Sequence, residues 1–264
     1  MLHLPSTHTK AKGDSSAPSI NSKCVLLLNA TARNMTETQI SRVTRSKKDA
    51  AAAYDRMSRW YDLLAGRSER SPKEVGLRKL AVGEGEKVLE VGFGTGRCLV
   101  ALAQSVGGSG GVYGIDLSQG MLDVTRARVR QAELLEGVHP VRGDAANLPF
   151  AATSFDAILM SFTLELFDTP EIPVVLHECQ RVLRNGGRIS VVAMSKKGNG
   201  GLMMKVYEWA HRKFPRYIDC RPIFVPQALE DAGFEVVDVT QMLMWALPVE
   251  IVVAKKGKSQ PANH

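Results

Sequence analysis

Lys87-Val88-Leu89-Glu90-Val91-Gly92-Phe93-Gly94-Thr95-Gly96-Arg97 decides the fold. The run ending in Glu90-Val91 reads as a buried parallel strand, and Cys98-Leu99-Val100-Ala101-Leu102-Ala103 reads as the helix after it. The glycines between them form a tight turn. Glycine adopts positive φ without steric cost, and its missing Cβ lets a ligand lie against the backbone. The unpaired N–H groups at the start of the helix face that same turn. A dinucleotide, a nucleoside or a phosphate would each suit such a corner.

Spacing separates these ligands. A dinucleotide fingerprint, G-x-G-x-x-G, would put its third glycine at position 97, where this chain has Arg97. No Gly-Lys-Ser/Thr follows, so the turn is not a P-loop either. The pattern is Gly92-x-Gly94-x-Gly96 behind an acidic Glu90. Twenty-four residues beyond Gly92, Val112-Tyr113-Gly114-Ile115-Asp116 reads as a second short strand ending in a carboxylate. A carboxylate there can accept hydrogen bonds from a ribose diol. A further 28 residues on, Asp144 follows Pro140-Val141-Arg142-Gly143, where a third strand ends. Residues ending successive strands of one sheet gather at its carboxyl edge, where open α/β sheets bind ligands.

These stretches carry a resemblance. Glu90-Val91-Gly92-Phe93-Gly94-Thr95-Gly96, Ile115-Asp116-Leu117-Ser118 and Gly143-Asp144-Ala145-Ala146-Asn147-Leu148-Pro149-Phe150 resemble the motifs of the class I S-adenosylmethionine-dependent methyltransferases. Leu183-Arg184-Asn185-Gly186-Gly187-Arg188 resembles that family's turn before its fifth strand. Within the superfamily the chain is most similar to the ubiquinone/menaquinone-biosynthesis type and its small-molecule and phospholipid-methylating relatives. The resemblance runs from about residue 50 to about residue 255. It implies an α/β, Rossmann-like, seven-stranded, mostly parallel sheet flanked by helices, with an antiparallel C-terminal strand and helical lid segments.

The resemblance also implies S-adenosyl-L-methionine as cofactor. The glycine loop (Gly92, Gly94, Gly96) would meet the methionine portion, and Asp116 the ribose hydroxyls. Asp144 would accept from the adenine amino group, with Ala145 close to the ring. Leu117 and Phe93 would give apolar contacts around ribose and adenine, while Glu90 orients the amino group or fixes the loop. Asp116 and Asp144 also read as plain capping or turn aspartates.

Composition bounds the partners. With 44% hydrophobic and 23% charged residues, the 264-residue chain is an ordinary globular protein able to bury a large core. The net charge of +7 admits nucleic acid or an anionic membrane surface, but the basic residues are scattered, several of them toward the ends. Cys24, Cys98, Cys179 and Cys220 form neither a CxxC nor a disulfide framework, which fits a reducing cytoplasm. No stretch reaches the roughly 18 apolar residues of a membrane span. No H-E-x-x-H or other compact zinc pattern occurs, so no obligatory metal is expected.

Taken in order, residues 1–34 read as a flexible tail and 35–80 as a helical cap. Residues 81–195 form the cofactor-binding core and 196–224 a lid and acceptor-site insertion. Residues 225–256 complete the sheet, and 257–264 are a second tail. The cap holds a helix over 50–64 and a second one opened by Ser71-Pro72. Helices are expected at 97–105, 119–135, 173–183 and 227–232, the third stopped by Asn185-Gly186. Strands are expected near 138–142, 155–160 and 189–194, with a final pair at 234–240 and 248–255.

The acceptor is expected to be a small molecule or lipid-like compound. Tyr54, Ser161, Tyr207, His211 and Arg221 are the polar candidates around an otherwise apolar pocket. Three of them have a plainer reading: Ser161 as a turn cap, His211 as a surface residue, Arg221 as the partner of an acidic residue at the core edge. Met203, Met204, Tyr207 and Trp209 make 202–214 either a cover for the sheet edge or a lid gripping a greasy acceptor. A non-enzymatic binding protein on the same fold and a nucleic-acid methyltransferase remain alternatives. The sequence sets neither the methylated atom nor the oligomeric state.

Overall fold

A computed structural model describes residues 42, 43, 46–58, 68–196 and 221–257. Tyr207, His211, the expected lid at 202–214 and the part of the expected cap helix beyond residue 58 lie outside the described residues. The elements are α1 (Lys47–Met57), α2 (Arg70–Leu80), β1 (Lys87–Val91), α3 (Arg97–Val106), β2 (Gly111–Asp116), α4 (Gln119–Gln131) and β3 (Val138–Arg142). They continue with β4 (Phe155–Ser161), a 3-10 turn (Leu164–Leu166), α5 (Glu171–Val182), β5 (Leu183–Met194), α6 (Val225–Asp231), β6 (Phe234–Met244) and β7 (Leu247–Lys256).

The seven strands form one sheet in the order β3-β2-β1-β4-β5-β7-β6. The β1–β2, β1–β4, β2–β3 and β4–β5 pairings are parallel, and β7 runs antiparallel to both β5 and β6. This is the expected fold class. On one face α5 and α6 pack Ile172, Val175, Leu176, Cys179 and Leu229 against Leu89, Ile158, Val191 and Val252. On the other, α3 and α4 set Leu99, Leu102, Met121 and Val129 against Val88, Val112 and Leu159. Covered on both faces, β4 has no exposed residue, in keeping with its apolar run Ala157-Ile158-Leu159-Met160. The strand order reverses between β1 and β4, and that switch point places the site.

Several element ends differ from expectation, each for a local reason. Helix α2 begins at Arg70, so Ser71 lies inside its first turn and gives no cap; Glu69 is the flanking residue. Helix α4 stops at Gln131 because Glu133 turns to positive φ. Helix α5 is not stopped by Asn185-Gly186. Leu183 is already extended, and Gly186, at φ 74, shapes an irregularity in β5 where the register to β4 shifts. The last two strands run longer than expected because Trp245 and Ala246 both take positive φ and close a tight hairpin without an Asn-Gly signal. The first cap helix starts at Lys47, capped by Ser46, whose side chain accepts from the Asp49 N–H.

Candidate active site

The glycine loop is set by contacts that explain each glycine differently. Gly92 has φ +74, and a Cβ there would stand 2.3 Å from Thr163 Oγ1. Gly96, at φ +78, would drive a Cβ to 2.6 Å from Thr125 of α4. It begins α3 and does not line the cavity, so its role is to fit the loop against α4. Only Gly94, at φ +52, faces open space. Thr125 Oγ1 donates to the Gly94 carbonyl, and Arg128 donates to the Thr95 carbonyl, so α4 holds the loop from behind.

The loop borders a cavity at the carboxyl ends of β1, β2, β3 and β4. Of the expected cofactor residues, Glu90, Gly92, Phe93, Gly94, Asp116, Leu117, Asp144 and Ala145 line it. Asp116 accepts from the Gly94 N–H with one carboxylate oxygen and from the Ser118 N–H with the other, both at 2.9 Å. It is thus a turn aspartate as well as a cavity residue. Burial raises its pKa, only partly offset by those N–H donors. Asp144 likewise accepts from the Ala146 N–H at 3.0 Å, while its other oxygen sits 2.6 Å from Lys47 Nζ.

Glu90 is the most heavily perturbed acid of the cavity. Burial pushes its carboxyl up to about 8, against the pull of Lys73 and bonds from Cys98 and the Leu99 N–H. One of its oxygens, Oε2, is buried with no hydrogen-bond partner. Lys73, reaching in from α2, lies 2.8 Å from Glu69 and 5.8 Å from the centre of the Phe162 ring. Burial lowers the Lys73 pKa, but Glu69, Cys98 and Glu90 more than offset that and the net shift is upward. The Cys98 thiol, pushed by burial up to about 12, is no thiolate nucleophile.

The rest of the lining includes an apolar group, Val43, Ala50, Ala51, Phe162, Leu166 and Phe167, together with Tyr54 and Ser161, the expected polar residues, and the charged Lys47, Asp168 and Glu171. Phe162 stands at φ 52, a costly conformation for a bulky residue, at the end of β4. Its N–H donates to Val192 O at 2.7 Å, which fixes it in place. Arg221 is not in the cavity. It is fully buried behind the wall, donating to Thr169 Oγ1 and the Phe167 carbonyl, and it positions the 164–169 segment. The acceptor contact expected of it gives way to a structural role, with Asp168 and Glu165 near enough to favour its charge against burial.

Helix α1 spans the mouth. Asp55 Oδ1 accepts from Ser118 Oγ and the Gly120 N–H, and Lys47 bridges Asp144 and Glu171 at 2.6 and 2.9 Å. Arg42 grips Asp168 through two nitrogens, and that hydrogen-bonded pairing holds the Asp168 carboxyl down at about 2. Lys73, Lys47 and Thr163 escaped the sequence reading, because no spacing links them to the glycine loop. Among the described residues no cluster of three His, Cys, Asp or Glu could hold a metal ion, and no helix is long and apolar enough to cross a membrane.

An open α/β sheet with a glycine loop, an acidic strand end and a second acid at the switch point defines a nucleoside-binding enzyme scaffold. The model of a methyltransferase domain matches residues 88–187. A demethylmenaquinone methyltransferase of Lactobacillus johnsonii is 27% identical over 80% of this chain and 94% of its own length. One from Geobacillus stearothermophilus is 35% identical over 58% of this chain and 63% of its own length. A solved S-adenosylmethionine-dependent methyltransferase from Aquifex aeolicus superposes with a TM-score of 0.54 at 27% identity, covering 70% of this chain and 89% of its own. The chain thus carries the domain of an S-adenosylmethionine-dependent methyltransferase and is similar to the demethylmenaquinone methyltransferases.

Proposed function

We propose that the enzyme methylates a quinol-like or phenolic, lipid-like acceptor, held against the apolar wall of this cavity. The carrying observation is the meeting of two unlike walls at the switch point. One offers the glycine loop, Glu90, Asp116 and Asp144, and the other Phe162, Leu166 and Phe167. The names of the Lactobacillus and Geobacillus relatives support an aromatic acceptor of this kind.

The cofactor fits the residues present. Glu90 Oε2, a buried acceptor without a partner, suits the ammonium of the methionine portion, and the open space beside Gly94 admits a ligand against the backbone. Lys73 is the counter-charge for the methionine carboxylate. Asp116 and Asp144 retain lone pairs for ribose hydroxyls and the adenine amino group, with Leu117 and Ala145 flanking. When bound, the cofactor supplies an electrophilic methyl on a sulfonium. The protein's task is to align an electron-rich acceptor atom and to exclude water, and it needs neither a metal nor a protein nucleophile for that. Tyr54 and Ser161, both in the lining, would orient the acceptor; Tyr207 and His211 keep that role as further candidates. The cysteine usage supports a cytoplasmic setting.

A methyl-transfer assay with isotopically labelled cofactor tests this, run on quinol, simple phenol, amine and phospholipid acceptors with and without chelator. Transfer to quinols and phenols, unaffected by chelator, is expected. Transfer to amines alone, or a metal-restored activity, would sink the reading.

A further inference from the structure

We propose that the tip of the β6–β7 hairpin is a docking surface for an anionic lipid bilayer, presenting the acceptor side of the cavity to the membrane. This rests on the lipid-like acceptor reading above. Of the exposed large hydrophobic residues among those described, Leu243 at 74% and Trp245 at 69% are the most exposed, and both sit at this tip.

The tip stands at the same edge of the sheet as the cavity. Val249, near the start of β7, is in register with Met194, the last residue of β5, and the Ser195 N–H donates to the Pro248 carbonyl. A buried apolar cluster connects the two places. Met242 and Met244 on the inner side of β6 pack with Met194, Leu247 and Phe162, and Phe162 is itself part of the cavity wall. The tip is therefore packed onto the same apolar core that Phe162 brings to the cavity.

The tip's backbone points the same way. Trp245 and Ala246 hold φ of 51° and 62°, which Asn-Gly would adopt far more easily. Strain kept at an exposed tryptophan marks a position held for something other than folding. An indole suits the boundary between headgroups and acyl chains, with its ring in the apolar layer and its N–H in the wet one. The net charge of +7 complements an anionic surface, and Lys196 follows Ser195 at this edge. A second copy of the chain is the poorer occupant. Two side chains expose a few hundred Å² at most, whereas a stable interface takes about 800 Å² from each partner.

The test is co-sedimentation of the full chain with vesicles of phosphatidylcholine alone or with one quarter phosphatidylglycerol, without acceptor. Binding to the anionic vesicles is expected, and the quenching by brominated lipid that belongs to Trp245 should be lost in Trp245→Phe, leaving only any contribution of Trp60 and Trp209. The double variant Leu243→Thr, Trp245→Asn should bind at least tenfold more weakly. Asparagine suits the turn, so its thermal melt and cofactor-product affinity should be kept. Unchanged vesicle binding in that variant, or none by the wild type, overturns the proposal. A monomer–dimer equilibrium shifted by the variant in lipid-free buffer also overturns it, in favour of a second copy. Methyl transfer to a short-chain, water-soluble quinol separates the two readings. Vesicle binding without quinol methylation defeats the acceptor reading alone, whereas quinol methylation without vesicle binding defeats the docking alone.

Discussion

The two walls of the cavity are built by different rules. On the cofactor side, each position follows from its neighbours in sequence: β1 runs into the glycine loop, β2 into Asp116 and β3 into Asp144. The rest of the lining is tied down over long separations: Lys47 meets Asp144 across 97 positions, Arg42 meets Asp168 across 126 and Arg221 meets Phe167 across 54. The first wall is fixed by backbone conformation and tight packing, the second by exposed or half-exposed ion pairs and a borrowed arginine. Damage to the first should therefore cost far more than damage to the second.

The largest effect is expected at Gly92. Gly92→Ala adds an unfavourable φ and a Cβ inside Thr163, which together should destabilise the fold by roughly 2–4 kcal/mol. Gly94→Ala meets no atom within 4 Å, so only its φ penalty, about 1–2 kcal/mol, should appear in the melt. Calorimetric titration with the cofactor product should nonetheless show the Gly94 variant losing affinity at least tenfold, because its methyl enters the ligand's space. Equal affinity in Gly94→Ala and wild type would move the ligand away from the loop.

Asp116→Ala comes next. It strips the acceptors of the Gly94 and Ser118 N–H groups as well as the proposed ribose partner. Affinity should fall by roughly 1–3 kcal/mol, about five- to 150-fold. Asp116→Asn, which keeps the shape and one acceptor, should lose less. If both variants melt lower but bind the product as wild type does, Asp116 is a turn residue only.

The same contrast decides what was legible in the sequence. Glu90, the Gly92 and Gly94 turn, Asp116 and Asp144 are readable because a strand end, a turn and a helix start are local patterns. Gly96 is readable as a glycine but not as one facing Thr125, since that contact comes from a helix 29 positions on. Lys73 carries no signal at all; it is an unremarkable lysine in a first helical turn until α2 brings it beside Glu90. Leu183 and the Trp245-Ala246 hairpin fail for the opposite reason. There the local signs, Asn185-Gly186 in one case and the lack of Asn-Gly in the other, were overruled by strand pairing.

Glu90 sharpens the comparison through pH. Its folded pKa of about 8 lies above the ordinary 4.5, so the folded state binds the extra proton between those values. Stability of the unliganded protein should thus fall as pH rises from about 4.5 to about 8. Ammonium binding favours the ionised form, so product affinity should rise over pH 6 to 8 and binding at pH 7 should release protons. Calorimetry in buffers of different ionisation enthalpy reads that release directly. Glu90→Gln should bind about tenfold more weakly at pH 8 and release none of these protons. Equal release by the variant would assign the proton elsewhere.

The smallest effect is expected from the ion pairs across the mouth. Lys47 is more than a third exposed and Arg42 more so, and such pairs contribute about 0–1 kcal/mol each. Their effect should therefore appear in the rate at which product leaves more than in its equilibrium affinity. Product dissociation, followed by stopped flow, should quicken between 50 mM and 1 M salt as the charges are screened. The double variant Lys47→Met, Arg42→Gln should dissociate up to about fivefold faster at low salt and show little further dependence on it. The Asp168 contribution has a defined acid limit. With its pKa held at about 2 against an ordinary 3.8, it is fully present above 3.8 and fades as pH falls through 2, so neutral pH should not alter the latch. A wild-type dissociation rate indifferent to salt would mean that α1 does not gate the cavity. The second wall would then be held by packing, just as the first is.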